Sequence, residues 1–221
     1  LVGLAARFYD ATAGRVLVDG VDIKDYSFDA LYDRIGYVTQ KAVLFAGDIQ
    51  ENVLFGESRA PRTKETVEQA LRLSMAEEFV QKLEGGVKAP IAQGGSNVSG
   101  GQKQRTAMAR MLSGEPEILM LDEPFSALDS QTRLMVSEDI YAIIRQEQKS
   151  ALLVTHDISE AISFADTIYT LSHRPARLRT VYQVQLTTQA PRTPLKSRNA
   201  PEFQQYFNAI WEEMMQDADD N

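Results

Sequence analysis

An apolar tetrad, Ile118-Leu119-Met120-Leu121, runs straight into Asp122-Glu123. An Asp after a buried strand can hold Mg²⁺ directly or through water, because hard cations want oxygen ligands. The adjacent Glu can reach the attacking water of a phosphoryl transfer. Taken alone, the pattern is common. A second stretch, Val98-Ser99-Gly100-Gly101-Gln102, precedes a helical pattern. Paired glycines let the backbone approach a ligand closely, N–H groups at a helix start favour phosphate, and Ser99 adds a hydroxyl donor. A plain Gly-rich cap explains the same residues equally well. Gln40 and His156 each follow a short apolar run. Individually they are weak signals, and a lone His after a strand is more often structural.

The elements that must position these residues follow from hydrophobic periodicity. Residues 1–9 read as a helix, with Leu1, Leu4, Ala5 and Phe8 on one face. Residues 16–18 form a short strand stopped by Asp19-Gly20, a hairpin signal. Residues 35–38 form another, ending at Gln40, and residues 63–83 carry apolar residues at helical spacing up to Gly85-Gly86. A Gly-rich loop (89–101) leads into a helix over about 101–112, and residues 118–121 and 152–154 read as buried parallel strands. Asp129 is suited to cap a helix over 130–148. A helix (158–164) and a strand (167–171) follow. Strand and helix alternate, so the fold class is α/β with a central parallel sheet. Ligands in such sheets sit beyond the carboxyl ends of the strands, where Gln40, Asp122-Glu123 and His156 all fall.

Composition narrows the class. Of 221 residues, 43% are hydrophobic and 24% charged, and a chain this long buries roughly 70% of its unfolded surface. Whole-chain disorder is therefore excluded. No stretch reaches the ~18 uninterrupted apolar residues of a membrane span. There is no cysteine, and His156 and His173 are the only histidines. Disulfide scaffolds, thiolate metal sites and multi-His centres are excluded. The net charge of −8 speaks against a nucleic-acid partner. Residues 172–201 hold six Arg/Lys and no acid, whereas 202–221 hold six acids and no Arg/Lys. Such blocks are ordinarily solvated surface. In the tail, 180–187 reads as an edge strand, 189–201 as a Pro-containing linker, and Pro201 as a first helical position. Phe203, Phe207, Ile210, Trp211 and Met214 then form the apolar stripe of an amphipathic helix.

Taken in order, Gln40, Val98 to Gln102, Ile118 to Glu123, Ser126-Ala127-Leu128-Asp129 and His156 resemble the ATP-binding cassette of ABC transporters. The resemblance implies a P-loop NTPase-like α/β cassette over 1–175, with a helical subdomain at about 41–112 and a tail at 176–221. It makes Gln40 the Q-loop glutamine, and Ser99, Gly100, Gly101 and Gln102 the nucleotide-gripping signature. Asp122 becomes the Mg²⁺ aspartate, with Gln40 as a second metal contact, and Glu123 the catalytic glutamate. Asp129 closes the D-loop, and His156 is the switch histidine. The implied cofactors are ATP and Mg²⁺. The implied partners are a second cassette, paired head to tail, and a transmembrane permease; the implied location is the cytoplasmic face of the cell membrane.

One part of the pattern is missing. A P-loop needs G-x-x-x-x-G-K-[ST], and no glycine here is followed by Lys. The chain reads as cut just after that motif, which makes it inactive alone and marginally stable. The two halves also resemble different branches. Residues 1–105 look exporter-like, on Tyr37-Val38-Thr39-Gln40, Phe45 and Asp48-Ile49-Gln50-Glu51-Asn52. From about 110 the chain looks like importer cassettes of the nitrate/sulfonate/taurine type, on Thr155-His156-Asp157-Ile158 and Leu171-Ser172-His173-Arg174-Pro175. All 13 glycines lie at or before Gly114, which fits a seam near 105–115; a single divergent branch is the plainer reading. Two further alternatives are a non-catalytic cassette that lends its signature to an active one and a non-transport ABC protein.

Overall fold

The computed structural model describes residues 2–56 and 62–219, with side chains as far as residue 216. It divides into two compact units, Leu1–Val154 and Thr155–Asn221.

In the first unit the elements run α1 (Val2–Ala5), β1 (Leu17–Val18), β2 (Val21–Asp22), α2 (Phe28–Tyr32), β3 (Ile35–Val38), β4 (Gly47–Asp48) and α3 (Ile49–Val53). There follow α4 (Lys64–Leu73), α5 (Glu77–Lys82), β5 (Pro90–Ile91), α6 (Gly100–Ser113), β6 (Ile118–Asp122), α7 (Ser130–Gln146) and β7 (Ser150–Val154). A three-stranded parallel sheet, ordered β3-β6-β7, forms the frame. Its central strand β6 buries Leu119, Met120 and Leu121, as a strand covered on both faces must. Asp19 and Gly20 both take positive φ and close the β1–β2 hairpin as their types require. Helices α3 to α6 lie between Ile49 and Ser113.

Several local expectations need correction. The first helix stops at Ala5 rather than running to Tyr9: Arg7 turns left-handed (φ 54°), and Phe8 N–H reaches back to Gly3 O. The 63–83 pattern is two helices. Met75 takes φ 54°, Ala76 N–H donates to Leu71 O at 2.8 Å, and Met75 N–H donates to Arg72 O. That is a Schellman close with Met where Gly is usual. β7 pairs only with β6 among the described residues and is half-exposed rather than fully buried.

The second unit comprises α8 (Ile158–Phe164), β8 (Thr167–Leu171), β9 (Leu178–Gln183), α9 (Pro194–Arg198) and α10 (Phe203–Asp219). β8 and β9 pair antiparallel across 172–177, so a boundary at 175 would cut a hairpin. The expected edge strand begins at Leu178 and ends at Gln183, earlier than 180–187. The presumed linker contains α9, because Thr193 caps it and Pro194 stands where a missing N–H costs nothing. Pro201 lies in a turn ahead of α10 and is not its first residue. The stripe on α10 splits. Ile210 is buried with Ile158, Ile162, Ile168 and Val184, and Phe203 and Phe207 pack beside them. Trp211 and Met214 stay about half exposed.

Candidate functional site

Parallel pairing of β3 with β6 sets Val38 beside Leu121, so Gln40 and Glu123 each stand two residues beyond one paired position on the same sheet edge. Asp122 is β6's last residue and pairs with Val154. Its Oδ2 accepts from the Tyr37 hydroxyl at 3.3 Å. Burial first, then the Asp122 charge and this bond, raise the Tyr37 hydroxyl above its ordinary pKa, so it stays a donor. Glu123 takes φ 48°, a conformation that costs an L-residue energy. Its N–H donates to Val154 O at 2.9 Å, and its carbonyl accepts from Ser126 N–H and Oγ. The backbone is thus pinned in this left-handed conformation by main-chain bonds on both sides.

At the start of α6, Ser99 Oγ accepts from Gln102 N–H and Gln102 Oε1 accepts from Ser99 N–H, a complete capping box. That leaves the N–H groups of Gly100 and Gly101, which no helix carbonyl can reach, for an incoming anion. Neither glycine has positive φ, and a Cβ would meet Ala127 Cβ at 3.9 Å at Gly100 and Ala127 O and Leu128 Cδ2 at 3.6 Å at Gly101. Those are ordinary contacts, so the fold itself does not require glycine at either position. Gly94 and Gly95, by contrast, have φ of 66° and 65°, which favours glycine. The 126–129 turn therefore lies against the first turn of α6. Asp129 closes that turn by capping α7 through Gln131 and Thr132 N–H. Hydrogen bonds from the Thr132 backbone and side chain hold its carboxyl below the usual range.

Gln40 is solvent-exposed, and His156 is exposed in the second unit just ahead of Asp157, the α8 cap. Among the described residues no group of three or more acidic or His side chains converges on a metal position. The donors present, Asp122 with Gln40, suit an ion such as Mg²⁺ that takes one or two protein oxygens and completes its shell with water and phosphate.

Sequence reasoning missed four residues that hold this frame. Gln104, buried on α6, donates to Thr39 O at 3.3 Å. Arg110 donates to Asn52 O, Val43 O and Asn52 Oδ1 and lies over the Phe45 and Phe55 rings. Buried Asn52 bonds both N–H and C=O of Phe45. Arg105 donates to Met75 O and covers Phe79. Polar residues on an otherwise apolar helix face were the available signal.

Residues 1–126 match the family described as ABC transporter. The chain belongs to that family. An uncharacterised ABC transporter ATP-binding protein, YtlC of Bacillus subtilis (strain 168), is 36% identical over 219 residues, covering 97% of this chain and 78% of YtlC. A sophorolipid transporter of Starmerella bombicola is 40% identical over 173 residues, covering 77% of this chain and 13% of that protein. Among solved structures, a bacterial Atm1-family ABC exporter with ATP bound superposes with TM-score 0.73 at 29% identity. The match covers 95% of this chain and 34% of the exporter. This ABC chain is thus similar, over nearly its whole length, to an ATP-binding transporter component, and its α/β fold is that of the cassette.

Proposed function

We propose that the chain forms one half of a head-to-tail ATP sandwich that drives solute across a membrane, seated on a permease at the cytoplasmic face. The observation that carries this reading is the pair Gly100-Gly101. The fold does not need them as glycines, yet they leave two N–H groups and the Ser99 hydroxyl proton at a helix start. Those donors suit the terminal phosphate of a nucleotide bound to the opposite cassette. The Mg²⁺-nucleotide, when bound, supplies the phosphoanhydride and neutralises charge as it breaks. On this chain, Asp122 and Gln40 offer oxygens to the metal, and Glu123 orients water and takes its proton. His156 donates a hydrogen bond to phosphate, and Asp129 helps hold the D-loop against the signature turn.

These 221 residues contain no Gly-Lys pair. Losing even two charge-assisted phosphate bonds weakens ATP binding by roughly 10²–10⁴-fold, so the chain by itself does not hydrolyse ATP measurably. The segment after Gln40, with Phe45 stacked on Phe55 at 4.0 Å, is the coupling surface for the membrane partner. The likeness of the fold to an exporter supports an exporter-type partner.

The test mixes the chain with an intact ABC cassette and measures ATPase. Stimulation that disappears when Ser99 to Gly101 are replaced supports the reading. No stimulation at saturation, or stimulation indifferent to those residues, overturns it. A pull-down that recovers ribosomes or DNA instead of membrane subunits would favour a non-transport role.

A further inference from the structure

We infer that Gln104 is a positioning residue for Gln40: it carries the state of the signature end of α6 to the glutamine on the sheet edge. The inference rests on the proposed nucleotide role of Gln40. Gln104 is 1% exposed, and its Nε2 donates to the carbonyl of Thr39, 65 residues away. Thr39 Oγ1 in turn donates to Lys41 O at 2.8 Å. The peptide unit before Gln40 is therefore held by α6 and the Lys41 carbonyl just beyond it by the turn itself, while Gln40 is exposed to solvent. Farther along α6, Arg110 takes the carbonyl of Val43 at 3.0 Å. The same helix that begins at Gly100 thus grips the 39–43 segment at two points. In a head-to-tail pair, the start of α6 faces one nucleotide and Gln40 faces the other. Movement of α6 on a ligand at Ser99 is passed to Gln40 through the Gln104 amide.

A buried glutamine that only filled space would be replaceable by methionine of similar shape. A positioning role makes a different demand. Gln104→Met removes the donor, so the 39–43 segment opens about 5-fold more often, the ratio expected for one net hydrogen bond. Hydrogen exchange on the full chain is the readout, with no nucleotide present. Amides of residues 39–43 are expected to exchange about 5-fold faster through local opening, while α6 and β6 accelerate no more than the accompanying fall in the unfolding midpoint accounts for. Uniform acceleration across the unit, or no change at 39–43, overturns the inference. A second readout uses the absence of native cysteine: a nitroxide on Lys41→Cys should gain mobility when Gln104→Met is added. An unchanged spectrum overturns the inference even where the double variant is less stable. Because neither readout needs ATP or a partner cassette, failure of the sandwich reading shows separately, as absent stimulation with the Gln104 effect intact.

Discussion

Glu123 offers a test in which stability and chemistry are expected to move in opposite directions. Its φ of 48° places a non-glycine residue in the left-handed region, at a cost of about 1–2 kcal/mol. The restraints are main-chain bonds, to Val154 O and from Ser126, and they survive any side-chain change. Glu123→Ala removes the carboxylate and keeps the strain. Glu123→Gly removes both, at an added unfolded-state entropy cost of about 0.5–1 kcal/mol. With mid-range values for both terms the glycine variant is therefore expected to be more stable than the alanine variant by about 0.75 kcal/mol, the reverse of the usual order. With a urea slope of about 2 kcal/mol/M, its midpoint lies about 0.4 M higher. Far-UV circular dichroism follows the backbone of both units, while Trp211, the only tryptophan, reports the second, so the change seen by circular dichroism but not by Trp211 fluorescence belongs to the first. Were Glu123 catalytic, each variant in an intact cassette would lose hydrolysis, so the more stable protein would be as inactive as the less stable one. An alanine midpoint equal to or above the glycine midpoint refutes the claim that the site stores backbone strain.

Other consequences can be measured on the same chain. Gly36→Ala sets a Cβ 2.5 Å from Pro116 Cγ and 2.6 Å from Met111 Cγ; overpacking of this kind costs about 1–3 kcal/mol, visible as a lowered urea midpoint with unchanged slope. Ser99→Asp keeps a good helix cap and adds a negative charge facing the phosphate, so stability is retained while stimulation of a partner cassette is lost; Ser99→Ala costs about 1 kcal/mol of helix stability. In the second unit, burial pushes the Glu213 carboxyl up, but bonds from Thr170, Tyr182 and Thr180 and the Arg179 charge outweigh it, and the net shift is downward. A lowered folded-state pKa gives stability that is present above about pH 4.3 and lost as pH falls further. Tyr182, raised to about 12 by burial and Glu213, gives stability present below about pH 10 and lost on approaching pH 12. Trp211 fluorescence should therefore report unfolding limbs at both extremes, and Glu213→Gln should flatten the acid one.

The sequence made the strand ends legible because short-range chemistry determines them. Apolar runs that stop at Asp122 and ahead of Gln40 become parallel neighbours, and Ser99-x-x-Gln102 is a capping box whatever surrounds it. What stayed hidden was long-range or atypical. The bond from Gln104 to Thr39 joins positions 65 apart, and Arg110 reaches back 67 residues to Val43; a polar residue on a helix face marks each donor, but no local pattern announces its partner. The break at Met75 escaped notice because a methionine occupies a left-handed position that glycine ordinarily marks. α9 escaped for the opposite reason: prolines that read as a linker include one, Pro194, that starts a helix.

These two kinds of residue divide the labour of the site. Ser99, Gly100 and Gln40 lie exposed at the ends of their elements, and Ser99 and Gly100 are placed by the capping box beside them. Buried polar residues hold those elements relative to one another, and an unpaired polar group there is costly. Asn52 shows the consequence. Its side chain satisfies both main-chain groups of Phe45 and also accepts from Arg110. Removing Asn52 strands groups on three sides, whereas removing an outward residue such as Gln40 strands none. Substitution of Gln40 should therefore alter chemistry with little effect on folding, and at Ser99 the same holds only for a residue that keeps the helix cap. Substitutions at Asn52 or Arg110 should do the reverse, and Gln104 stands between the sets because the carbonyl it holds belongs to the residue before Gln40.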